Sequence, residues 1–202
     1  MLPIPIVASN ISHLTDARYF AAWLVEWMSF PLDGPEAIRP QTAIQLAEWV
    51  EGPDLAARYE MTALDEIQEQ WDTLPVQGLI LSGQHYLSQL ALHPVEQPYF
   101  LELPLNTRPD VIRQIDHFSP QGVILFAGDE PLTPKTFIPW STCSCPIYLH
   151  VQKHNIEELW TLVEREIISG WAVSGAGEEK VGFKSFDAQD EIYEFLLDRE
   201  TP

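Results

Sequence analysis

The stretch I-V-A-S-N-I-S-H-L-T-D-A-R-Y-F, residues 6–20, decides the fold. It opens with a short apolar run that ends at the polar pair Ser9 and Asn10, and a helical pattern begins near Asp16. Similar apolar runs recur along the chain, with helical patterns between them. Near-continuous apolar runs of this length are typical of parallel strands that are buried on both faces. We therefore predict a chain of alternating strands and helices.

The number of strand–helix units favours a closed barrel. The apolar runs of strand length are 4–9, 27–32, 55–60, 78–82, 99–103, 122–127, 146–151 and 170–174. The helical segments are 16–26, 39–51, 62–74, 108–118, 155–167 and 187–200, with weaker ones at 86–92 and 132–142. Eight units in 202 residues fit a minimal (β/α)8 TIM barrel, as one domain over residues 1–202. An open doubly wound sheet is the alternative, but its usual glycine-rich first turn is missing after the first strand.

The charge of the chain excludes several classes of partner. Its 30 acidic and 11 basic residues give a formal net charge of −19, which repels nucleic acid and anionic membranes. No apolar run reaches about 18 residues, the length of a transmembrane helix, and the first residues lack the features of a signal peptide. We expect a cytoplasmic protein with neither nucleic-acid nor membrane partners.

The two cysteines, Cys143 and Cys145, are separated by one residue. This spacing is too close for an ordinary structural disulfide, and two thiols are too few ligands for zinc. We predict that both are packing residues at the start of a strand, and we expect no metal and no cofactor.

Candidate site residues follow the predicted strands, because a (β/α)8 barrel carries its chemistry at the carboxyl ends of its strands. Glu102 lies inside an apolar run, so it is either an acid with a raised pKa or the partner of a basic residue at the rim. His150, Lys153 and His154 form either an anion or acid–base site, or an exposed loop that caps a helix. Trp171, at the start of the eighth strand, either fills the barrel or occludes its mouth.

Residues 7–22, V-A-S-N-I-S-H-L-T-D-A-R-Y-F-A-A, resemble the opening of the phosphoribosylanthranilate isomerases. That family has K-x-C-G-I-T followed by an acid–alanine pair, and Ile11, Asp16 and Ala17 are in register. The resemblance continues at Phe30, Pro35 and Ala43, and near the other end at Ser174, Gly175, Gly182, Lys184 and Phe195. It implies a (β/α)8 barrel of the ribulose-phosphate-binding type and an isomerase of tryptophan biosynthesis.

The catalytic positions that the resemblance implies have changed. The family uses a cysteine after the first strand as general base and an aspartate after the sixth as general acid, whereas this chain has Ser9 and Ala127 there. A serine hydroxyl without a neighbouring base is too weak an acid to serve as proton acceptor near neutral pH. Val7 and Asn10 likewise replace the lysine and glycine of the motif. We therefore predict a divergent barrel without isomerase activity, which binds a small molecule or catalyses another reaction at the carboxyl end of the barrel.

Two alternatives stay open. One is an active isomerase that uses Ser9, Glu102 and Asp129 as catalytic residues. The other is a non-catalytic module that docks a basic protein on its acidic surface. The resemblance also implies a phosphate site after strands seven and eight, and it would be formed by Lys153, Ser174, Gly175 and Gly177. We expect a phosphorylated small molecule as partner, and a monomer or homodimer.

Overall fold

Eight parallel strands form the centre of the protein. The computed structural model describes residues 2–128, 132–151, 156–175, 178–180 and 183–200. The strands close into a barrel in chain order. They are β1 (Ile6–Ser9), β2 (Trp27–Pro31), β3 (Asp54–Tyr59), β4 (Gly78–Ser82), β5 (Tyr99–Pro104), β6 (Gly122–Phe126), β7 (Ile147–His150) and β8 (Gly170–Ser174). All eight predicted strands are confirmed.

Helices follow most of the strands. They are α1 (Leu14–Ala22), α2 (Pro40–Ala47), α3 (Leu64–Gln70), α4 (His85–Leu90), α5 (Pro109–Ile115), α6 (Ile156–Glu164) and α7 (Asp187–Glu200), with 3₁₀ turns at Trp71–Thr73 and Ile138–Thr142. Two short strands, β9 (Glu178–Lys180) and β10 (Phe183–Lys184), pair antiparallel before α7. The weak segment 132–142 yields only a 3₁₀ turn in its described part, because proline lacks the amide that a longer helix needs. None of the described helices is long and apolar enough to cross a lipid bilayer.

The first and last strands of the barrel pair with each other. Ile6 lies opposite Trp171, and Ser9 lies opposite Ser174. This seam excludes the open sheet, whose edge strands would be unpaired. It confirms the predicted (β/α)8 barrel.

The inside of the barrel is a packed apolar layer. Each strand contributes one residue to it: Val7, Trp27, Ala56, Ile80, Phe100, Ile124, Tyr148 and Ala172. The ring of Phe100 meets those of Trp27 and Tyr148 edge to face, with centroids 5.4 and 5.7 Å apart. The layer therefore closes the barrel below its carboxyl end.

Three glycines make room for these rings. Gly78, Gly122 and Gly170 open β4, β6 and β8, two residues before an interior residue of the same strand. A Cβ on Gly122 would lie 2.8 Å from the Tyr148 ring, and one on Gly170 would lie 2.4 Å from the carbonyl oxygen of Pro5. The aromatic interior thus requires strands without side chains at these points.

Trp171 lies outside the barrel. Its ring centroid is 6.4 Å from that of Trp160 and 6.3 Å from that of Phe195, in the layer between sheet and helices. Successive strand residues point to opposite faces, and Ala172 is the residue that faces inward. The prediction that Trp171 fills the barrel or occludes its mouth is therefore wrong.

We predict that Gly170→Ala destabilises the protein by about 1–3 kcal/mol, because the added methyl group meets the backbone and cannot be relieved by a rotamer change. Urea denaturation measures the change. Gly128→Asn is the control, because no described atom lies within 4 Å of its Cβ position and asparagine tolerates its φ of +59°. Equal stability of the Gly170→Ala variant and the unmodified protein would show that the barrel does have room for a side chain at position 170, and would contradict this explanation.

Candidate functional site

A second layer of side chains lies above the apolar interior, two residues further along each strand. Because strand side chains alternate between faces, these residues also face the barrel axis. They are Ser9, Ser29, Arg58, Ser82, Glu102, Phe126, His150 and Ser174, and we call them the mouth ring. All but Phe126 are polar. The carboxyl end of the barrel is therefore lined by groups that can bind or react.

Arg58 and Glu102 form the ion pair at the centre of the mouth ring. Nε and Nη2 of Arg58 donate to Oε2 of Glu102 over 2.9 and 2.5 Å, and Nη2 also donates to Oγ of Ser82 over 3.0 Å. The side chains are only 12% and 4% exposed. Burial acts to lower the pKa of Arg58, but the carboxylates of Glu102 and Glu60 outweigh it and raise the pKa. The sequence left open whether Glu102 is an acid with a raised pKa or the partner of a basic residue. The structure shows that it is the partner of Arg58.

His150 is buried at the end of β7 beside this pair. Its Nε2 lies 3.8 Å from Oε1 of Glu102, beyond hydrogen-bond distance. Burial lowers the pKa of His150; the carboxylate of Glu102 opposes this change and the charge of Arg58 adds to it. The imidazole is therefore neutral at neutral pH. Its position inside the barrel excludes the interpretation of His150 as an exposed helix cap.

Two buried polar atoms of the mouth ring have no protein partner. Among the described residues, no hydrogen bond reaches Oγ of Ser9 or Nδ1 of His150. Both residues are almost fully buried, at 0% and 5% exposure. A buried polar atom without a partner costs about 1–3 kcal/mol, so a molecule that hydrogen-bonds to these two atoms would be favoured.

Asn10 has a backbone conformation that glycine favours. Its φ is +59°, in the left-handed region that glycine favours and asparagine tolerates. Its amide donates to Oγ of Ser29 over 3.4 Å, and the next amide, of Ile11, donates to the Ser29 carbonyl over 2.8 Å. The turn after β1 thus has a backbone shape that a glycine would also adopt.

The two ends of the resemblance meet at the seam between β1 and β8. The amide of Gly175 donates to the carbonyl of Ser9 over 3.3 Å. The buried carboxylate of Asp16 lies beside Gly175, where a Cβ would be 3.1 Å from its Oδ2. The acid of α1 and the glycine after β8 therefore belong to one structural contact.

The predicted phosphate site is only partly described. Ser174 lies in the mouth ring with its carbonyl accepting from Nε2 of Gln189, and the Gly175 amide is bound to Ser9. Gly177 and Lys153, like the predicted catalytic Asp129, lie outside the described residues. The phosphate site and the catalytic set of Ser9, Glu102 and Asp129 stay predictions.

A cavity of about 660 Å³ lies beside the ends of β7 and β8, against α6 and α7. Ser174, Gly175 and Gln189 line it, together with the carboxylates of Glu157 and Glu191. Its lining among the described residues includes no lysine or arginine. The described part of this cavity therefore offers less to a phosphate than Arg58 does inside the mouth ring.

Asp33, a candidate by its position after β2, holds the next loop in place. Its carboxylate accepts from the amides of Glu60, Met61 and Thr62, over 2.5 to 2.8 Å, and from the Thr62 hydroxyl over 2.7 Å. Burial acts to raise the pKa of Asp33, but these hydrogen bonds outweigh it and lower the pKa. The carboxylate is therefore an anchor for the loop after β3.

The end of β6 carries no acid in the described part of the chain. Phe126 takes the inward position and is 36% exposed, and Ala127 after it is buried. Sequence reasoning missed Arg58 and Ser29 as site residues. A signal existed for Arg58, because it is the one charged residue within the apolar run 55–59.

The architecture matches solved structures over almost the whole chain. Phosphoribosyl anthranilate isomerase from Thermus thermophilus has a TM-score of 0.74 at 16% identity, covering 97% of this chain and 100% of that one. Phosphoribosyl anthranilate isomerase in complex with reduced 1-(o-carboxyphenylamino)-1-deoxyribulose 5-phosphate has a TM-score of 0.74 at 12% identity, covering 96% and 99%. KGPDC from Streptococcus mutans has a TM-score of 0.67 at 10% identity, covering 100% of both chains.

No protein-family model matches the sequence, and no curated protein matches it significantly. At identities of 10 to 16%, the structural matches establish the fold. The chain has the barrel architecture of the phosphoribosylanthranilate isomerases from end to end.

We predict that Arg58→Met destabilises the protein by about 3–5 kcal/mol, because it leaves Glu102 buried without its cation. The double variant Arg58→Met, Glu102→Leu should recover most of this loss, since it removes both charges. Urea denaturation measures all variants. Arg108→Met, which breaks the exposed pair with Asp110, is the control and should change stability little. Additive losses in the double variant would contradict the pairing.

We predict that His150 makes the protein less stable as the pH falls. Below its usual pKa of 6.5 the imidazole takes up a proton in the unfolded chain, but burial keeps it neutral in the folded one, so protonation favours unfolding. His150→Gln should therefore lose less unfolding free energy than the unmodified protein between about pH 7 and about pH 5. His93→Gln, at an exposed position, is the control. Identical pH profiles for all three proteins would contradict a lowered pKa.

Proposed function

We propose that this chain is a divergent member of the phosphoribosylanthranilate isomerase family that no longer catalyses the isomerase reaction and binds a small phosphorylated molecule in the mouth of its barrel. The observation that carries the proposal is the composition of the mouth ring. It retains polar groups around a buried arginine, but it replaces the residues on which the isomerase chemistry depends.

The absence of a suitable acid and base supports the loss of the reaction. Ser9 replaces the thiol, and no described residue hydrogen-bonds to its Oγ and so activates it. Phe126 and Ala127 occupy the end of β6, where an acid would be needed. A displaced group such as Asp129 would have to reach the same point, and an error of about 1 Å already reduces catalysis strongly.

The contacts of Arg58 support an anionic ligand. Its Nη1 is bound only weakly, by Oε2 of Glu60 at 3.5 Å, and the Glu60 side chain is 43% exposed and can turn away. A phosphate or carboxylate oxygen would take the place of Glu60 and accept a charge-assisted hydrogen bond from Nη1. Ser9 Oγ and His150 Nδ1 would supply further hydrogen bonds. The similar isomerase in complex with a deoxyribulose 5-phosphate derivative suggests the chemical class.

An active isomerase is the second candidate, and one observation favours it. His150 is neutral and lies 3.8 Å from the carboxylate of Glu102, so the mouth ring holds two groups that can accept a proton in one enclosed place. This pair would have to replace the cysteine and aspartate of the family.

Complementation separates the two candidates. We expect that a tryptophan-requiring strain without the isomerase does not grow on minimal medium when it expresses this chain. The level of folded protein is checked by immunoblot of the soluble fraction. Growth that is lost in His150→Gln and kept in His93→Gln would overturn the proposal in favour of an active isomerase.

Thermal unfolding tests the ligand. We expect ribose 5-phosphate at millimolar concentration to raise the melting temperature, since a ligand that binds only the folded state stabilises it. The rise should be smaller in Ser9→Ala and unchanged in Ser88→Ala, which removes an exposed hydroxyl on α4. No rise with any sugar phosphate, or an equal rise in both serine variants, would remove the mouth ring as the binding site.

A further inference from the structure

A group of three metal-binding side chains lies at the opposite end of the barrel from the mouth ring. Asp116 directly follows α5, and Cys143 and Cys145 lie between the 3₁₀ turn Ile138–Thr142 and β7. One ligand atom from each residue lies within 4.8 Å of the other two. All three residues are half-buried. The proposed function uses none of them.

The two thiols are held close together by a rigid turn. Their Sγ atoms are 2.9 Å apart. The amide of Cys143 donates to the carbonyl of Trp140 over 3.0 Å, and the buried indole of Trp140 donates to the carbonyl of Leu105 over 2.8 Å. The turn is therefore fixed to the barrel, and little ordering is needed for both sulfur atoms to face one point.

Asp116 is already oriented towards this turn. Its Oδ1 accepts from the amide of Ser144, between the two cysteines, over 3.0 Å. This hydrogen bond places the carboxylate beside both thiols. The sequence interpretation counted two ligands, too few for zinc, because Asp116 lies 27 residues before Cys143 in the chain.

We propose that Cys143, Cys145 and Asp116 form a binding site for a thiophilic divalent cation of the Zn²⁺ class. Two thiolates and one carboxylate are a mixed donor set that suits zinc, and three protein ligands leave a fourth tetrahedral position open. Both cysteines line a cavity of about 360 Å³. With Zn–S bonds of about 2.3 Å, the sulfur atoms would move to about 3.8 Å apart.

The protonation of the pair fits this chemistry. A hydrogen bond from the Cys145 thiol lowers the pKa of Cys143, and the same hydrogen bond together with burial raises the pKa of Cys145. The cation displaces the proton of each thiol when it binds. The bound cation also offsets the repulsion between two thiolates and the carboxylate. It would join the end of α5 to the start of β7.

Cadmium titration of the reduced full-length chain tests the site. Thiolate ligation gives an ultraviolet charge-transfer absorption, and it reports this site alone because the chain has two cysteines in total. We expect one cadmium ion per chain, and displacement by zinc. Cys143→Ser and Cys145→Ser should each abolish tight binding. Asp116→Asn should weaken it at least about tenfold, since metal affinity falls by that much when even a supporting residue is lost.

His117→Gln is the matched control, because His117 follows Asp116 in sequence but is exposed and outside the group. It should bind cadmium like the unmodified chain. Melting temperatures without metal show whether each variant is folded. An absent absorption in a chain whose two thiols both titrate as free would overturn the proposal, as would full binding by Cys145→Ser. Isolation of the pair as a disulfide that resists reduction would also overturn it.

Discussion

The alternation of side chains along the strands of a closed parallel barrel determines which residues line its interior and its mouth. Once eight strands close on one another, every second side chain faces the same narrow interior, and each layer receives one residue from every strand. In this chain the lower layer is apolar and the next is almost entirely polar. The rings of Trp27, Phe100 and Tyr148 close the interior from below, and the glycines that open β4, β6 and β8 make this packing possible. The polar groups of the mouth ring therefore lie directly above an apolar layer. They can meet solvent or a ligand only from the carboxyl end of the barrel.

The apolar layer explains why the charged groups of the mouth ring are paired. A charge placed above an apolar layer is poorly solvated from below, so Arg58 and Glu102 have to be partners. His150 shares their surroundings, no described residue hydrogen-bonds to its Nδ1, and it stays neutral. The ring thus combines one neutralised ion pair with several uncharged donors and acceptors. Such a site distinguishes ligands by the placement of their polar atoms more than by their total charge.

The sequence predicted the part of this architecture that depends on local pattern. All eight strands could be read from their apolar runs, and the positions of Ser9, Glu102 and His150 at strand ends followed from the same runs. The partner of Glu102 could not be read, because pairing across the barrel depends on strand register, and Arg58 lies 44 residues away. The prediction for Trp171 was wrong for a related reason. Both faces of its strand are apolar, so the sequence shows no alternation of polar and apolar residues from which the inward-facing residue could be predicted. The ligand group of Asp116 with the two cysteines likewise needs the folded chain.

The turn at Asn10 bears on how the barrel could change again. With its backbone in the left-handed region, the main chain already has the shape that a glycine would give it. Substituting the residues at positions 9 and 10 would therefore alter their side chains without moving the strand that carries them. The barrel is accordingly a starting point for directed evolution, in which new side chains can be tried at the mouth on a backbone that needs no redesign.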